Sequence, residues 1–340
     1  MERADVTNAL FGLDEADVSV TLLPDGSVDR RFEVEGRAGA VRSRESFGRR
    51  IAEGDAKSFY VDHRTTDPGG QAVNAARQHH AFGDDVLLAG HLDHDIFETL
   101  DVDAYSMGVP AVVQIYEFED DAVMLTEESS GIENWRFDAL ERALGDRLDA
   151  ALTRDAVVWM NWASFPHGTA ALRALRDRDP DGDLLVVDPG DVTVSDPAEV
   201  PAFFDVLSAL SACYDVVLSA NRQECRFLAD ALLDTAPETD DALVRELGDA
   251  GGLHGTVLHE VQRAVAATGD GTVSVPNVDT ENATRYMGGG DRFTAGLAHA
   301  LAADRPWADA LALGNACASY YVLVGETAAP EDIRAFVTGD

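Results

Sequence analysis

Val216-Val217-Leu218-Ser219 is a short apolar run, and residues 222–233 immediately behind it carry apolar side chains at helical spacing. A strand that feeds straight into a helix is one βα unit. The pattern repeats outward from it. Residues 86–89, 157–160 and 184–187 are further Val- and Leu-rich runs, and periodic segments at 71–82, 135–152, 167–177, 202–212, 240–250 and 292–303 lie between and after them. This alternation predicts an α/β fold with a mainly parallel central sheet covered by helices.

Two stretches break the rhythm. Residues 18–66 and 109–127 contain strand-like runs at 18–23, 57–61, 111–116 and 122–125, with no helix read between them. Such strands predict a second, smaller sheet that lies over the ends of the parallel strands as a lid, spanning approximately 30–66 and 109–127. Residues 180–183, Pro-Asp-Gly-Asp, read as a turn. With no long linker and no repeat, residues 1–340 are expected to form a single domain with the lid inserted in it.

Acidic residues number 62 against 26 basic ones, for a net charge of −36, and Lys57 is a lone lysine. The acids are spread along the chain, so they belong to the folded surface. Molar salt shortens the Debye length to about 3 Å and would screen their repulsion, which suits a halophilic, salt-loaded cytoplasm. The same field argues against nucleic acid or an anionic membrane as partner. Residues 1–20 lack a basic start followed by an apolar run, and no apolar stretch reaches the roughly 20 residues of a membrane helix. Cys213, Cys225 and Cys317 are widely separated, which suggests buried thiols and no zinc site.

Three local patterns carry chemistry. Gly288-Gly289-Gly290-Asp291 runs into a segment with Phe293, Leu297 and Leu301 at four-residue spacing, which places the glycines at a helix N-terminus. Free N–H groups there can bind phosphate oxygens, and Asp291 at the rim can accept a proton from an attacking hydroxyl. A plain helix cap would give the same string. Gly69-Gly70 precedes another helix with Asn74 one turn in, fit either for polyol hydroxyls or for a simple turn. Asn221 and Glu224, spaced i and i+3 after the 216–219 run, could organise Mg²⁺ through water or form a capping box.

Taken in order, GGxxxN at Gly69, Gly70 and Asn74, NxxE at Asn221 and Glu224, and GxGD at Gly288, Gly290 and Asp291 resemble the signatures of the ribokinase-like (PfkB) family of carbohydrate kinases over nearly the whole chain. Asp29 resembles its early substrate-binding Asp, Asp188-Pro189 its DP after a central strand, and Gly83 and Gly90 fit its spacing. The resemblance implies a three-layer α/β/α sandwich with a β-sheet lid, and phosphoryl transfer from ATP, or ADP, with Mg²⁺. It implies Asp291 as base, Gly288, Gly289 and Gly290 as anion hole, Asn221 and Glu224 as Mg²⁺ and phosphate organisers, and Asp29, Gly69, Gly70 and Asn74 as substrate contacts. Asn315 is expected at the nucleotide, His259 either there or in a surface turn, and a homodimer through the lid is expected from some relatives.

The chain also departs from the family pattern. Arg285-Tyr286-Met287 precede the glycines where many relatives have Asp-Thr-Thr, which leaves their monovalent cation site in doubt, and a glycine-rich stretch is replaced by residues 257–261. Arg42, Arg44, Arg49 and Arg50, preceded by Arg30, Arg31 and Arg37, make a basic cluster in the lid. Arginine forks suit a substrate phosphate, so Arg42 and Arg44 are expected either to contact a phosphorylated sugar such as a pentose 1-phosphate, if the acceptor is not a free sugar or nucleoside, or to be solvated and paired with the acidic surface. A catalytically silent sugar-binding regulator is the alternative of another class. A dinucleotide-dependent oxidoreductase would need a GxGxxG after an early strand, which is absent.

Overall fold

β1 (Ser19–Leu23) lies inside a nine-stranded sheet, paired in parallel with β5 (Asp85–Gly90) on one side and β9 (Ala156–Met160) on the other. The computed structural model that shows this describes residues 17–36, 39–54, 57–277, 285 and 287–338. From β9 the parallel order continues through β10 (Leu184–Asp188), β11 (Asp215–Asn221) and β12 (Gly255–His259), and β6 (Asp103–Ser106) closes the far edge beside β5. The antiparallel strands β13 (Arg263–Thr268) and β14 (Gly271–Pro276) finish the other edge.

Successive side chains of a strand point to opposite faces. Val157 and Trp159 therefore enter one core while Val158 and Met160 enter the other, and all four are fully buried. The first core is covered by α4 (Phe137–Leu144), α5 (Leu148–Leu152), α6 (Gly168–Asp177), α7 (Val200–Leu210), α8 (Arg222–Leu232) and α9 (Asp240–Gly251), with the short α3 (Ser130–Glu133) beside them. The second is covered by α2 (Gln71–Phe82), α10 (Gly289–Ala302), α11 (Trp307–Val324) and α12 (Pro330–Thr338). Three layers result, as expected. Cys213, Cys225 and Cys317 are buried free thiols, and no helix among the described residues is long and apolar enough to cross a membrane.

The smaller sheet contains β2 (Ser27–Gly36), β3 (Gly39–Ala40), β4 (Tyr60–Gly69), β7 (Ala111–Glu117) and β8 (Ala122–Glu127). β2 pairs with β4 antiparallel and with β7 in parallel. Three expectations are corrected. The run at 18–23 is a strand of the main sheet, not of the lid. A helix, α1 (Arg44–Ala52), capped by the Ser43 hydroxyl, interrupts the lid strands. The segment 135–152 is two helices, because Gly145 takes a positive φ of 54° and breaks the first.

At the far end of α2 and α10 the two helices are tied through one carboxylate. Asp84 accepts from His79 on α2 at 2.6 Å and from His299 on α10 at 3.0 Å, with both rings buried. Burial alone would raise the Asp84 carboxyl, but the bonds from His299 and His79 outweigh it and hold it below its ordinary range. A depressed carboxyl contributes its stability fully above the unfolded value near pH 4 and loses it as pH falls through the native value. Asp84→Asn should therefore lower the unfolding free energy by about 3 kcal/mol at neutral pH. Urea titration in molar KCl should show that deficit shrinking in acid; a deficit unchanged near pH 3 would contradict the clasp.

Candidate active site

The C-terminal ends of β1, β9, β10, β11 and β12 open into a cleft of about 870 Å³. Strand order reverses between β1 and β9, and open α/β sheets bind ligands at such a switch point. The lid supplies the opposite wall with period-two side chains: Ser27, Asp29 and Arg31 from β2, Val113 and Ile115 from β7, and Met124 and Thr126 from β8.

Gly288 caps α10 with φ 88°, and Gly289, Gly290 and Asp291 are its first three residues. The N–H groups of a first helical turn lack intrahelical partners, and they carry the positive end of the helix dipole. A Cβ on Gly290 would stand 3.2 Å from the His259 ring, so glycine lets that ring pack closely against the turn. Asp291 is 7% exposed. Its carboxylate accepts from Asn74 Nδ2 at 2.7 Å and from Gln71 Nε2 at 3.2 Å, which aims it from two sides.

Both amides belong to α2, and the glycine pair sets where that helix begins. A Cβ on Gly69 would fall 2.2 Å from the Asp29 carboxylate, and one on Gly70, at φ 98°, 2.8 Å from Gly26 Cα. The lid strand β2 and the start of α2 can approach this closely only over bare backbone. Asp25, just past β1, accepts from Gln71 N at 2.9 Å and Ala72 N at 2.7 Å, capping α2, while Asn161 Nδ2 reaches it at 3.1 Å from the end of β9. Burial pushes the Asp25 carboxyl up to about 7 against those three bonds, and the Asp291 charge adds to the rise. Burial likewise raises Asp29.

Asp188, at the end of β10, and Glu224, in the first turn of α8, also line the cleft. Asp188 accepts from Thr294 Oγ1 at 3.0 Å and from Gly190 N at 3.1 Å. Burial raises Asp188, and the Asp291 charge raises it further; burial raises Glu224, with the Asp188 charge next. Asn221 and Glu224 form a full capping box on α8, at 2.8 and 3.0 Å, and both also line the cleft. The two alternatives read from the sequence are thus compatible. His259, expected near the nucleotide, packs on Phe293 at 4.7 Å between ring centres, and burial pushes it down to about 4. Asn315, 3% exposed, lines the same end of the cleft and donates to Val275 O at 3.3 Å.

The structure therefore brings together Asp29, Gly70, Asn74, Asn221, Glu224, His259, Gly288, Gly289, Gly290, Asp291 and Asn315 around one cleft, with Gly69 beneath Asp29. It does not bring Arg42 and Arg44 there. Arg42 pairs with Glu119 and Arg44 with Asp121 on the lid surface, because those acids stand opposite them across the fold. Arg49 pairs with Glu45 on α1, while Arg37 and Tyr286 lie outside the described residues. Asp25, Gln71, Asn161 and Thr294 were not singled out in the sequence. Of these, Gln71 alone carried a signal, its place directly behind the glycine pair.

Comparison with known proteins agrees with this geometry. The family of prokaryotic ketohexokinases matches residues 17–340. Ketohexokinase of Haloferax volcanii is 30% identical over 368 aligned positions, covering 99% of this chain and 92% of that protein. Among solved structures, a point mutant of phosphofructokinase-2 from Escherichia coli superposes with TM-score 0.68 at 16% identity, over 95% of this chain and 100% of that one. Ribokinase of Thermotoga maritima gives 0.66 at 16% identity, over 94% and 99%. These two share the fold, including the smaller sheet. The chain has the fold of the ribokinase structure, belongs to the prokaryotic ketohexokinase family, and is a phosphotransferase with an alcohol group as acceptor.

Proposed function

We propose that the chain moves the terminal phosphoryl group of ATP to a hydroxyl of an uncharged ketohexose, with Asp291 as general base. One observation carries the reading: Asp291, held by Asn74 and Gln71, stands where the two halves of the cleft meet, beside the glycine turn of α10. The half toward the lid, with Asp29 and Asn74, offers polar groups to sugar hydroxyls. The half toward His259, Asn315 and Ser319 takes the donor.

In this scheme the acceptor hydroxyl gives its proton to Asp291 as its oxygen bonds to the terminal phosphorus, and the bond from that phosphorus to the bridging oxygen breaks, releasing ADP. The N–H groups of the glycine turn face the charge that develops on the transferred group. Lid side chains over the acceptor exclude water, which would otherwise compete with the sugar. Asp291→Asn should lower kcat by at least about 100-fold while calorimetry still shows sugar and nucleotide binding. A variant that keeps more than about a tenth of wild-type turnover would remove Asp291 from the role of base.

An uncharged acceptor is favoured by the walls. Arg31 is the sole Arg or Lys among the described residues lining the cleft, and it is engaged by Glu117 at 2.7 Å and Asp67 at 3.8 Å. The same lining holds Asp25, Asp29, Glu128 and Asp291. A phosphorylated sugar would meet that field without an unengaged Arg or Lys among the described lining residues to receive it.

Asp188 and Glu224 suit Mg²⁺. They are hard oxygen donors, one at the end of β10 and one in the first turn of α8, and their raised carboxyls reflect buried charges that a cation would relieve. Bound there, Mg²⁺ would neutralise phosphate charge during transfer. Because the carboxyls must lose protons to hold a cation, apparent Mg²⁺ affinity should rise by about tenfold from mildly acidic to mildly alkaline pH. Kinetic Mg²⁺ titration should show that rise in the wild type and a flatter one in Glu224→Gln. Parallel curves would take Glu224 out of the metal site.

A further inference from the structure

Arg292 follows Asp291 in the chain, and its side chain turns inward instead of toward solvent, with 1% of the residue exposed. Nη1 donates to Gly288 O at 3.2 Å, Nη2 reaches Thr327 Oγ1 at 3.4 Å, and the guanidinium carbon lies 3.9 Å from the centre of the Tyr321 ring. Nε is buried without a hydrogen-bond partner. Its partners among the described residues are thus a carbonyl, a hydroxyl and an aromatic face, with no carboxylate salt bridge. Burying a cation is costly, and the Asp291 carboxylate beside it in the chain offsets part of that cost without pairing to it, so a further negative charge would relieve the rest.

The position of the guanidinium says where that charge comes from. Nη1 would stand 3.0 Å from a Cβ on Gly288, so it sits directly behind the glycine turn, with the cleft on the other side. The bond to Gly288 O polarises the peptide that joins Gly288 to Gly289. Hydrogen bonds in series strengthen one another, so the N–H at the opposite end of that peptide becomes a better donor. In a cleft whose charged lining residues are acidic apart from Arg31, this is a fixed positive charge set one backbone thickness behind the place where the phosphoryl group would lie.

We propose that Arg292 is a positioning residue for phosphoryl transfer: a built-in counter-charge that holds the glycine turn and polarises it toward the transferred group. The inference rests on the kinase reading above. A residue that merely stapled Gly288 to Thr327 would matter for stability and would not distinguish a charged side chain from a neutral one that keeps the hydrogen bond.

The test compares wild type with Arg292→Met, Arg292→Gln and Arg292→Lys in molar KCl, with ATP, Mg²⁺ and fructose, following kcat, KM for fructose and the thermal midpoint. Arg292→Gln, which keeps a donor for Gly288 but no charge, should lose at least about tenfold in kcat with KM for fructose held within about twofold. Arg292→Lys should recover most of that loss. If Arg292→Met does not fold, Arg292→Gln carries the test. The proposal is overturned if Arg292→Gln stays within about threefold of wild-type kcat, if Arg292→Lys is as slow as Arg292→Gln, or if the whole effect lies in KM or the thermal midpoint. A wild type inert toward sugars would refute the kinase reading itself, whereas an active wild type with a fast Arg292→Gln would refute only the role of Arg292.

Discussion

Asn74 donates to the Asp291 carboxylate across 2.7 Å, and that single contact requires the N-termini of two helices far apart in the chain to meet over the strand ends. α2 reaches the meeting point because Gly69 and Gly70 let it start hard against the lid strand, and because Asp25 caps it from the end of β1. α10 reaches it through the turn at Gly288. At their other ends the same two helices are joined by His79, Asp84 and His299. The site is therefore a consequence of how two helices are pinned, not of any one loop.

Charge is the second constraint. The chain is acidic outside, with a net charge of −36, and acidic inside its cleft as well. A polyanionic donor would be repelled from such a pocket unless positive potential were concentrated at one place. The dipole of α10, the Arg292 guanidinium behind its first turn and a cation between Asp188 and Glu224 would together supply that potential where phosphate lies. Where the acceptor is proposed to lie, Arg31 is the one Arg or Lys among the described lining residues, and it is already engaged by Glu117 and Asp67, which would suit a sugar without charge of its own.

The parts of this arrangement that were legible in the sequence are local ones. Glycines running into an apolar helical period announced the starts of α2 and α10, and strands buried on both faces announced the parallel sheet. What was not legible depends on distance. Asp25, Asn161 and Thr294 are ordinary polar residues whose meaning comes from strand ends meeting in space. Arg42 and Arg44 stood out because cations are rare here, yet their partners Glu119 and Asp121 are close only once the turn joining β7 to β8 lies against the start of α1. α11 gave no periodic signal because Ala310, Leu311, Ala312, Leu313 and Gly314 are all buried, so no polar face alternates with an apolar one.

The most direct measurement is an acceptor competition in molar KCl with ATP and Mg²⁺, in which fructose and fructose phosphate are offered together at equal concentration and product is followed by ³¹P NMR. The account predicts phosphoryl transfer to fructose with little to the phosphorylated sugar. Preference for the sugar phosphate, or transfer to neither while ATP binds, would contradict it.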